Sequence, residues 1–270
     1  MEAQCPLCLK QKTIVSSHLI PAAVYDYCKP EPGDRPIAIS PKYVISSDRQ
    51  LQDHLLCRDC EEDLNKGGEN WLLPLLARYD GPFPFHEILT RGPIAVVIDR
   101  SDKSTGYAAA DNPEIRCDDL AHFALGVFWK AAVHSWRGDR TRPLIDLGPY
   151  TERVRLFLRR EADFPAHMSL TIGVMPPPVK AHLFEYPYRA SARQWHNFHF
   201  SVPGMRFVLC TGKTIKGDKR LSCFVSNPRH PILVTDMSSF LMDQIARTIG
   251  SPENFERFKR LGEKINRRTR

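Results

Sequence analysis

Two Cys-x2-Cys pairs, Cys5/Cys8 and Cys57/Cys60, stand 48 residues apart in a chain of 270. Each short spacing sets two thiols on one tight turn, and two such turns brought together supply the tetrahedral sulfur set that Zn²⁺ prefers. A thioredoxin-like redox pair is the rival reading for one of them, but neither follows a strand within a βαβ pattern, and that reading leaves the other pair idle. The spacing therefore predicts a structural zinc on Cys5, Cys8, Cys57 and Cys60. Four thiolates leave no coordination position open, so such a zinc organises the fold, and chemistry must come from what the two turns hold together. Cys28, Cys117, Cys210 and Cys223 are scattered and read as buried or incidental thiols.

At 42% apolar and 26% charged residues the chain can bury a real core, which excludes intrinsic disorder and a disulfide-stapled mini-protein. The longest apolar run, Ala121 to Ala132, is interrupted by His122 and Lys130 and falls short of the ~20 residues that span a bilayer. No membrane association is expected. The start, Met-Glu-Ala-Gln-Cys-Pro, lacks the basic and apolar regions of a signal peptide, so the expected compartment is cytoplasmic and the thiols reduced. Charge is uneven: residues 1–70 hold 8 basic and 11 acidic side chains, while the whole chain is +7. The basic excess therefore lies beyond residue 70, in Arg137–Arg160, Lys180–Arg220 and the last twenty residues. Arg153–Arg160, Lys213–Arg220 and Arg267–Arg270 are the candidate contacts for a phosphate backbone.

Between the cysteine pairs the sequence reads as turn-rich connection with one short helix, His18 to Cys28, entered through Pro21. After Cys60 a helix is expected to Asn65, a halt at Gly67-Gly68 and a restart near Trp71. Residues 94–98 suggest a buried strand. Leu120, Phe123, Ala124, Val127, Phe128 and Ala131 fall at helical spacing behind Asp118 or Asp119 as cap. A shorter helix follows, with Tyr150, Val154, Phe157 and Leu158 inward and Arg153, Arg155, Arg159 and Arg160 on other faces. Strands are expected at 168–174, 182–188, 198–202 and 205–209, the last two joined by a Pro203-Gly204 turn. Segments 221–225 and 232–234 extend that sheet, and helices near 237–247 and 252–266 close the chain. Gly212-Lys-Thr lacks the upstream glycine of a phosphate-binding loop and reads as a turn.

Ser16-Ser17-His18-Leu-Ile-Pro21 stands between the pairs, and the second pair continues as Cys60-Glu61-Glu62-Asp63-Leu64-Asn65-Lys66-Gly67-Gly68-Glu69-Asn70-Trp71. On a helix Glu61 and Asn65 share a face, and Glu69 joins them if the glycines redirect the chain. An oxygen-rich helix face opposite a histidine suits Mg²⁺ beside a general base, the requirement of phosphodiester hydrolysis. The plain alternative is a set of first-turn acids answering the helix dipole.

These motifs, over about residues 5–71, resemble the HNH endonuclease superfamily, the ββα-metal or treble-clef nucleases with a zinc knuckle, and within it a bacterial Ser-His-x-Ile-Pro subgroup. The resemblance implies that His18 is the general base. It places Ser17 where the family has a metal-ligating residue. It leaves Gln52, Asp53 and His54 as candidates for the middle position, which is Asn in the family, and Glu61 or Asn65 for the third. His54, beside Leu55 and Leu56, reads equally as a packing residue.

The expected fold class is thus α+β: an N-terminal treble-clef, HNH-like zinc module over residues 1–75, then a mixed helix and antiparallel-sheet domain over 76–270. The expected function is metal-dependent cleavage of nucleic acid, DNA ahead of RNA, with His18, Asn65 and His54 catalytic. Glu61, Asp53 and Glu69 would hold Mg²⁺ or Mn²⁺. The alternatives are a non-catalytic zinc module that binds nucleic acid or a protein partner, and a structural or regulatory protein; a homo-oligomer is compatible with each.

Overall fold

The turn carrying Cys5 and Cys8 joins two antiparallel strands, β1 (Glu2–Gln4) and β2 (Gln11–His18). A bulge at Val15/Ser16 shifts the alternation of β2, so that Ile14 and Ser17 both face inward, three residues apart. Pro21 starts α1 (Ala22–Tyr27), as its fixed φ favours. The next segment is not the plain connection expected: it forms a hairpin, β3 (Ile37–Ser40) with β4 (Tyr43–Ser46). The chain then returns as β5 (Gln52–Cys57), which pairs with β2 to complete a three-stranded sheet, β1-β2-β5. Cys57 ends that strand and leads straight into α2 (Arg58–Leu64).

The glycines after α2 interrupt the helix as expected: within a π-type turn over Asn65–Glu69, Gly68 leaves helical geometry (φ 171°, ψ −37°), and beyond this kink the chain restarts as α3 (Asn70–Leu72). Both glycines are buried for a steric reason: a Cβ on Gly67 would lie 2.3 Å from the His122 ring, and one on Gly68 would lie 2.3 Å from the Asp119 carbonyl oxygen. They let this helix approach the long central one closely.

The remaining elements are α4 (Pro84–Thr90), β6 (Ile94–Ile98), β7 (Ser104–Ala108), α5 (Cys117–Val133), α6 (Tyr150–Leu158), β8 (Met168–Val174), β9 (Leu183–Ala190), β10 (His196–Val202), β11 (Met205–Thr211) and β12 (Pro231–Val234). They build a nine-stranded sheet in the order β4-β3-β9-β10-β11-β8-β12-β7-β6. The β10–β11 hairpin has the register its alternation predicts, Phe198 opposite Leu209, Phe200 opposite Phe207 and Val202 opposite Met205. Gly204 takes φ 79° in its turn, a backbone region that favours glycine. The sheet is mixed, not purely antiparallel: β3 runs parallel to β9 and β12 parallel to β8. Strands from between the cysteine pairs thus form one edge of the sheet built by the later chain.

Helix α5 is buried from Leu120 to Ala131 on every side, as an apolar helix without a polar stripe must be. Phe123 and Phe128 meet the stacked pair Phe200–Phe207, with Phe128 and Phe200 4.9 Å apart. Its N-cap is Arg116, with no side-chain cap; Asp118 and Asp119 lie in the first turn and answer the dipole. Leu7, Leu19 and Leu64 share one apolar cluster with Phe123, Phe200 and Leu209.

The structure, a computed structural model, describes all residues except 30, 32, 41–42, 47–48, 80, 99–103, 137–141, 180–182, 191–195, 213–226 and 238–270. The expected strand at 221–225, the two closing helices, Cys223 and the basic clusters Lys213–Arg220 and Arg267–Arg270 lie outside the described residues. Among those described, no helix is long and apolar enough to cross a membrane.

The close helix contact generates a paired prediction. Gly68→Ala forces a backbone oxygen aside and should destabilise the protein by about 1–3 kcal/mol. Gly126→Ala, whose Cβ would meet nothing nearer than Leu64 at 3.9 Å, should instead be neutral or stabilise by up to ~1 kcal/mol. Urea midpoints of the two variants check this.

Candidate metal centre and adjoining polar site

Cys5 and Cys8 are aimed by a tight turn in which the Leu9 N–H donates to the Cys5 carbonyl at 2.8 Å, and Leu9 itself takes φ 60°. Cys57 is fixed by the end of β5 and Cys60 by the first turn of α2. The four sulfurs lie within 4.8 Å of one another, Cys8 and Cys57 at 3.9 Å, and three of the four cysteines are buried. The Cys57 amide also donates to Cys5 Sγ at 3.5 Å. The thiols bear on one another's acidity. A hydrogen bond from Cys60 pulls Cys5 down to about 4, while the same contact, with burial, pushes Cys60 up. Such a donor set can hold a metal ion such as zinc, whose charge would replace the thiol protons. Among the described residues no other group of three or more His, Cys, Asp or Glu side chains forms a comparable cage.

Helix α6 braces this centre. Arg155, which the helical pattern puts on an outer face, is buried: its Nη1 donates to the Leu7 carbonyl inside the first turn at 2.8 Å, and Glu152 accepts from its Nε and Nη2, both at 2.8 Å. Arg159 donates to Asp63 on α2 at 3.2 Å. One helix therefore grips both halves of the cysteine cluster. It also means that Arg155 and Arg159, two members of the expected phosphate-binding cluster, are committed within the fold, while Arg153 and Arg160 remain exposed. Tyr150 and Phe157, expected inward, are half-buried.

Beyond the sulfurs, the ends of β2 and β5 meet α2 and α5 through charged and polar groups. Ser17 is fully buried and donates to Glu61 Oε2 at 2.7 Å. His18, half-buried at the end of β2, gives its carbonyl oxygen to Lys130 Nζ at 2.8 Å. Lys130, 1% exposed in the last turn of α5, also reaches Glu69 at 3.3 Å. Glu61 therefore meets Ser17 directly and Glu69 meets the His18 carbonyl through Lys130, with the kink at Gly68 between the two acids. Asn65, one turn beyond Glu61, opens the π turn and is half-buried. Asp53 stands opposite Ser17 in the β2–β5 register and Gln52 opposite His18. His134, just past α5, donates from Nε2 to Asp53 Oδ2 at 2.9 Å, and this hydrogen bond holds the Asp53 carboxyl below the ordinary carboxylate range. His54 is exposed, so it does not pack as its neighbours Leu55 and Leu56 do.

Glu61, Glu69 and Asp53 are thus each engaged by a different side chain and do not converge on one point. Two participants, Lys130 and His134, have no counterpart in the sequence reading. The available signal was Lys130 itself, since a lysine inside an apolar helix needs a buried partner. Comparison of the chain with protein-family models, curated proteins and solved structures finds no match.

Reduced protein should carry one tightly bound divalent metal per chain. Serine at any of the four cysteine positions should remove the metal, read by elemental analysis, together with several kcal/mol of stability, because binding energy is folding energy at such sites. Arg155→Gln should keep the metal but weaken it about 10-fold or more in chelator competition, the usual effect of losing a group that orients the ligands.

Proposed function

We propose that this protein is a metal-dependent, HNH-like endonuclease, with zinc on the four cysteines as the scaffold and His18 as general base. The observation that carries this reading is the placement of His18. The cysteine cluster joins the β1–β2 turn, the end of β5 and the start of α2, an order that supports a treble-clef reading. Ser17 and His18 end β2; Ser17 donates to Glu61 on that helix, and the His18 carbonyl accepts from Lys130, which also reaches Glu69. Glu61 and Asn65, one helical turn apart, would hold Mg²⁺ or Mn²⁺, which would supply charge neutralisation at the scissile phosphate; Glu69 or Asp53 would join them only on leaving Lys130 or His134. His18 would take the proton of the attacking water, an imidazole being able to do so near neutral pH. His54, exposed near the same strand end, would face the substrate. The basic surface of the later chain would retain the polyanion, DNA ahead of RNA.

The engagement of each acid by a neighbouring side chain favours a second reading, a zinc module that binds nucleic acid or a protein without cleaving. Plasmid cleavage at low salt with Mg²⁺ or Mn²⁺ separates the two. The nuclease reading expects cleavage that His18→Ala lowers by about 10²–10⁴-fold with metal content unchanged. Salt-sensitive binding without cleavage on any DNA or RNA substrate would establish the binding module instead.

A further inference from the structure

The turn that carries Cys5 and Cys8 holds an exposed leucine in a backbone conformation that leucine disfavours. Leu9 takes φ 60°. Its N–H donates to the Cys5 carbonyl at 2.8 Å, its carbonyl accepts from Gln4 Nε2 at 3.0 Å, and the Cys5 N–H closes the turn on the Lys10 carbonyl at 2.9 Å. The turn therefore imposes the left-handed region, where glycine or asparagine fits and the Cβ of other residues crowds the following carbonyl oxygen. The side chain recovers little of that cost. It is 50% exposed and stands outside the apolar cluster, whereas Leu7, two residues earlier, is fully buried and supplies the packing of the turn. The other non-glycine residues at positive φ among those described, Arg160 and His230, are polar; Leu9 alone is aliphatic.

The other half of the cysteine centre carries a second residue that local stability disfavours. Arg58 is the first residue of α2, where the helix dipole favours an acid and opposes a cation. Arg58 is exposed and makes no ion pair among the described residues, and the same holds for Lys10 beside Leu9. The sulfurs of Cys8 and Cys57, 3.9 Å apart, bring the two places together. Lys12 is paired with Asp59 across β2 and α2. Residues 1–70 are acidic in sum, yet this surface holds Lys10, Lys12 and Arg58 against Asp59, with Glu2 at the far end of β1.

An aliphatic side chain on a rigid turn between cations has the chemistry of the wedge by which proteins open a base step. The apolar group enters the stack while Lys and Arg hold phosphates beside it. We propose that this turn is a nucleic-acid contact in which Leu9 inserts against the bases of a duplex and Lys10 and Arg58 bind its backbone; this deepens the nucleic-acid reading above and rests on it. A protein groove could also take a leucine, but the local excess of cations over acids favours a polyanion. The contact is remote from the proposed chemistry, since at ~3.3 Å per residue β2 sets the turn about 23 Å from His18. Leu9 is therefore a binding residue and not a catalytic one.

Leu9→Gly separates this role from a structural one, because glycine relieves the backbone and should leave metal content as in the wild type and the urea midpoint unchanged or raised. Affinity for a short DNA duplex, read by fluorescence anisotropy across a salt series, should nonetheless fall about tenfold or more at every salt concentration. The slope of log K against log salt should stay as in the wild type, since no phosphate contact is lost, whereas Lys10→Gln and Arg58→Gln should each lower it by about 1. Leu9→Asn, polar and tolerant of the same φ, should behave as Leu9→Gly. A base analogue that brightens on unstacking should brighten in the duplex bound by wild type and stay dim with Leu9→Gly. Wild-type affinity in Leu9→Gly would overturn the proposal, as would a wild type that binds without brightening the analogue. A wild type that binds no duplex even at low salt would instead overturn the nucleic-acid reading, and this contact with it.

Discussion

Four sulfurs within 4.8 Å of one another are the constraint on which the rest of the molecule depends. They fasten the first turn, the end of β5 and the start of α2 at one point, and so close a loop that contains α1 and the β3–β4 hairpin. That loop is not slack. Its helix lays Tyr25 against Phe184 at 4.9 Å and its hairpin adds two strands to the edge of the large sheet. Closing it by chain contacts alone would cost loop entropy before those pairings contribute, and a cation at the cysteines would offset that cost locally. The braces from α6 make the dependence mutual, since Arg155 holds the first turn only where that turn is formed.

Buried charge supplies the second level of specification. Lys130, Glu69 and Arg155 sit at junctions between elements, and Glu185 sits within the sheet, fully buried beside Ser201 and 3.6 Å from Arg206. Such groups add little net stability, because desolvation consumes most of the attraction, but removing one partner leaves the other uncompensated. Their effect is registry. A hairpin end slipped by one residue along α5 would leave Lys130 without the His18 carbonyl, and the apolar contacts alone would penalise that slip much less.

What the sequence made legible follows from how local each signal is. The cysteine spacing, the Pro203-Gly204 hairpin with its register, and the apolar spacing of α5 depend on neighbours in the chain, and the structure has all three. The β3–β4 hairpin escaped because Ile37-Ala-Ile-Ser is short and lies among prolines and serines, and its partner, β9, lies far along the chain. The parallel pairings are invisible for the same reason. Gly67-Gly68 read as a helix halt and the chain does kink at Gly68, but the reason both must be glycine, the His122 ring and the Asp119 carbonyl pressing on that point, belongs to a helix fifty residues away. Arg155 read as solvent-facing because its carbonyl partner at Leu7 is more distant still. At the candidate site His18 and Glu61 were visible as types in a pattern, while Lys130 and His134 required the packing of α5 against the hairpin.

The polar cluster at that packing junction needs an account of its own, since apolar side chains of similar volume would join a hairpin to a helix at lower desolvation cost. Registry accounts for Lys130 and Glu69, which are buried and bear on the His18 backbone. It does not account for Asp53 and His134. A pair this exposed contributes at most about 1 kcal/mol and is screened by salt, yet both oxygens of the carboxylate are hydrogen-bonded and the imidazole rests on the Trp136 ring as well as on Asp53. Stiffness without comparable stabilisation is the signature of a group whose direction matters more than its energy. The part of the junction that faces water is therefore the part whose geometry stability leaves unexplained, and it lies at the strand end where His18 stands.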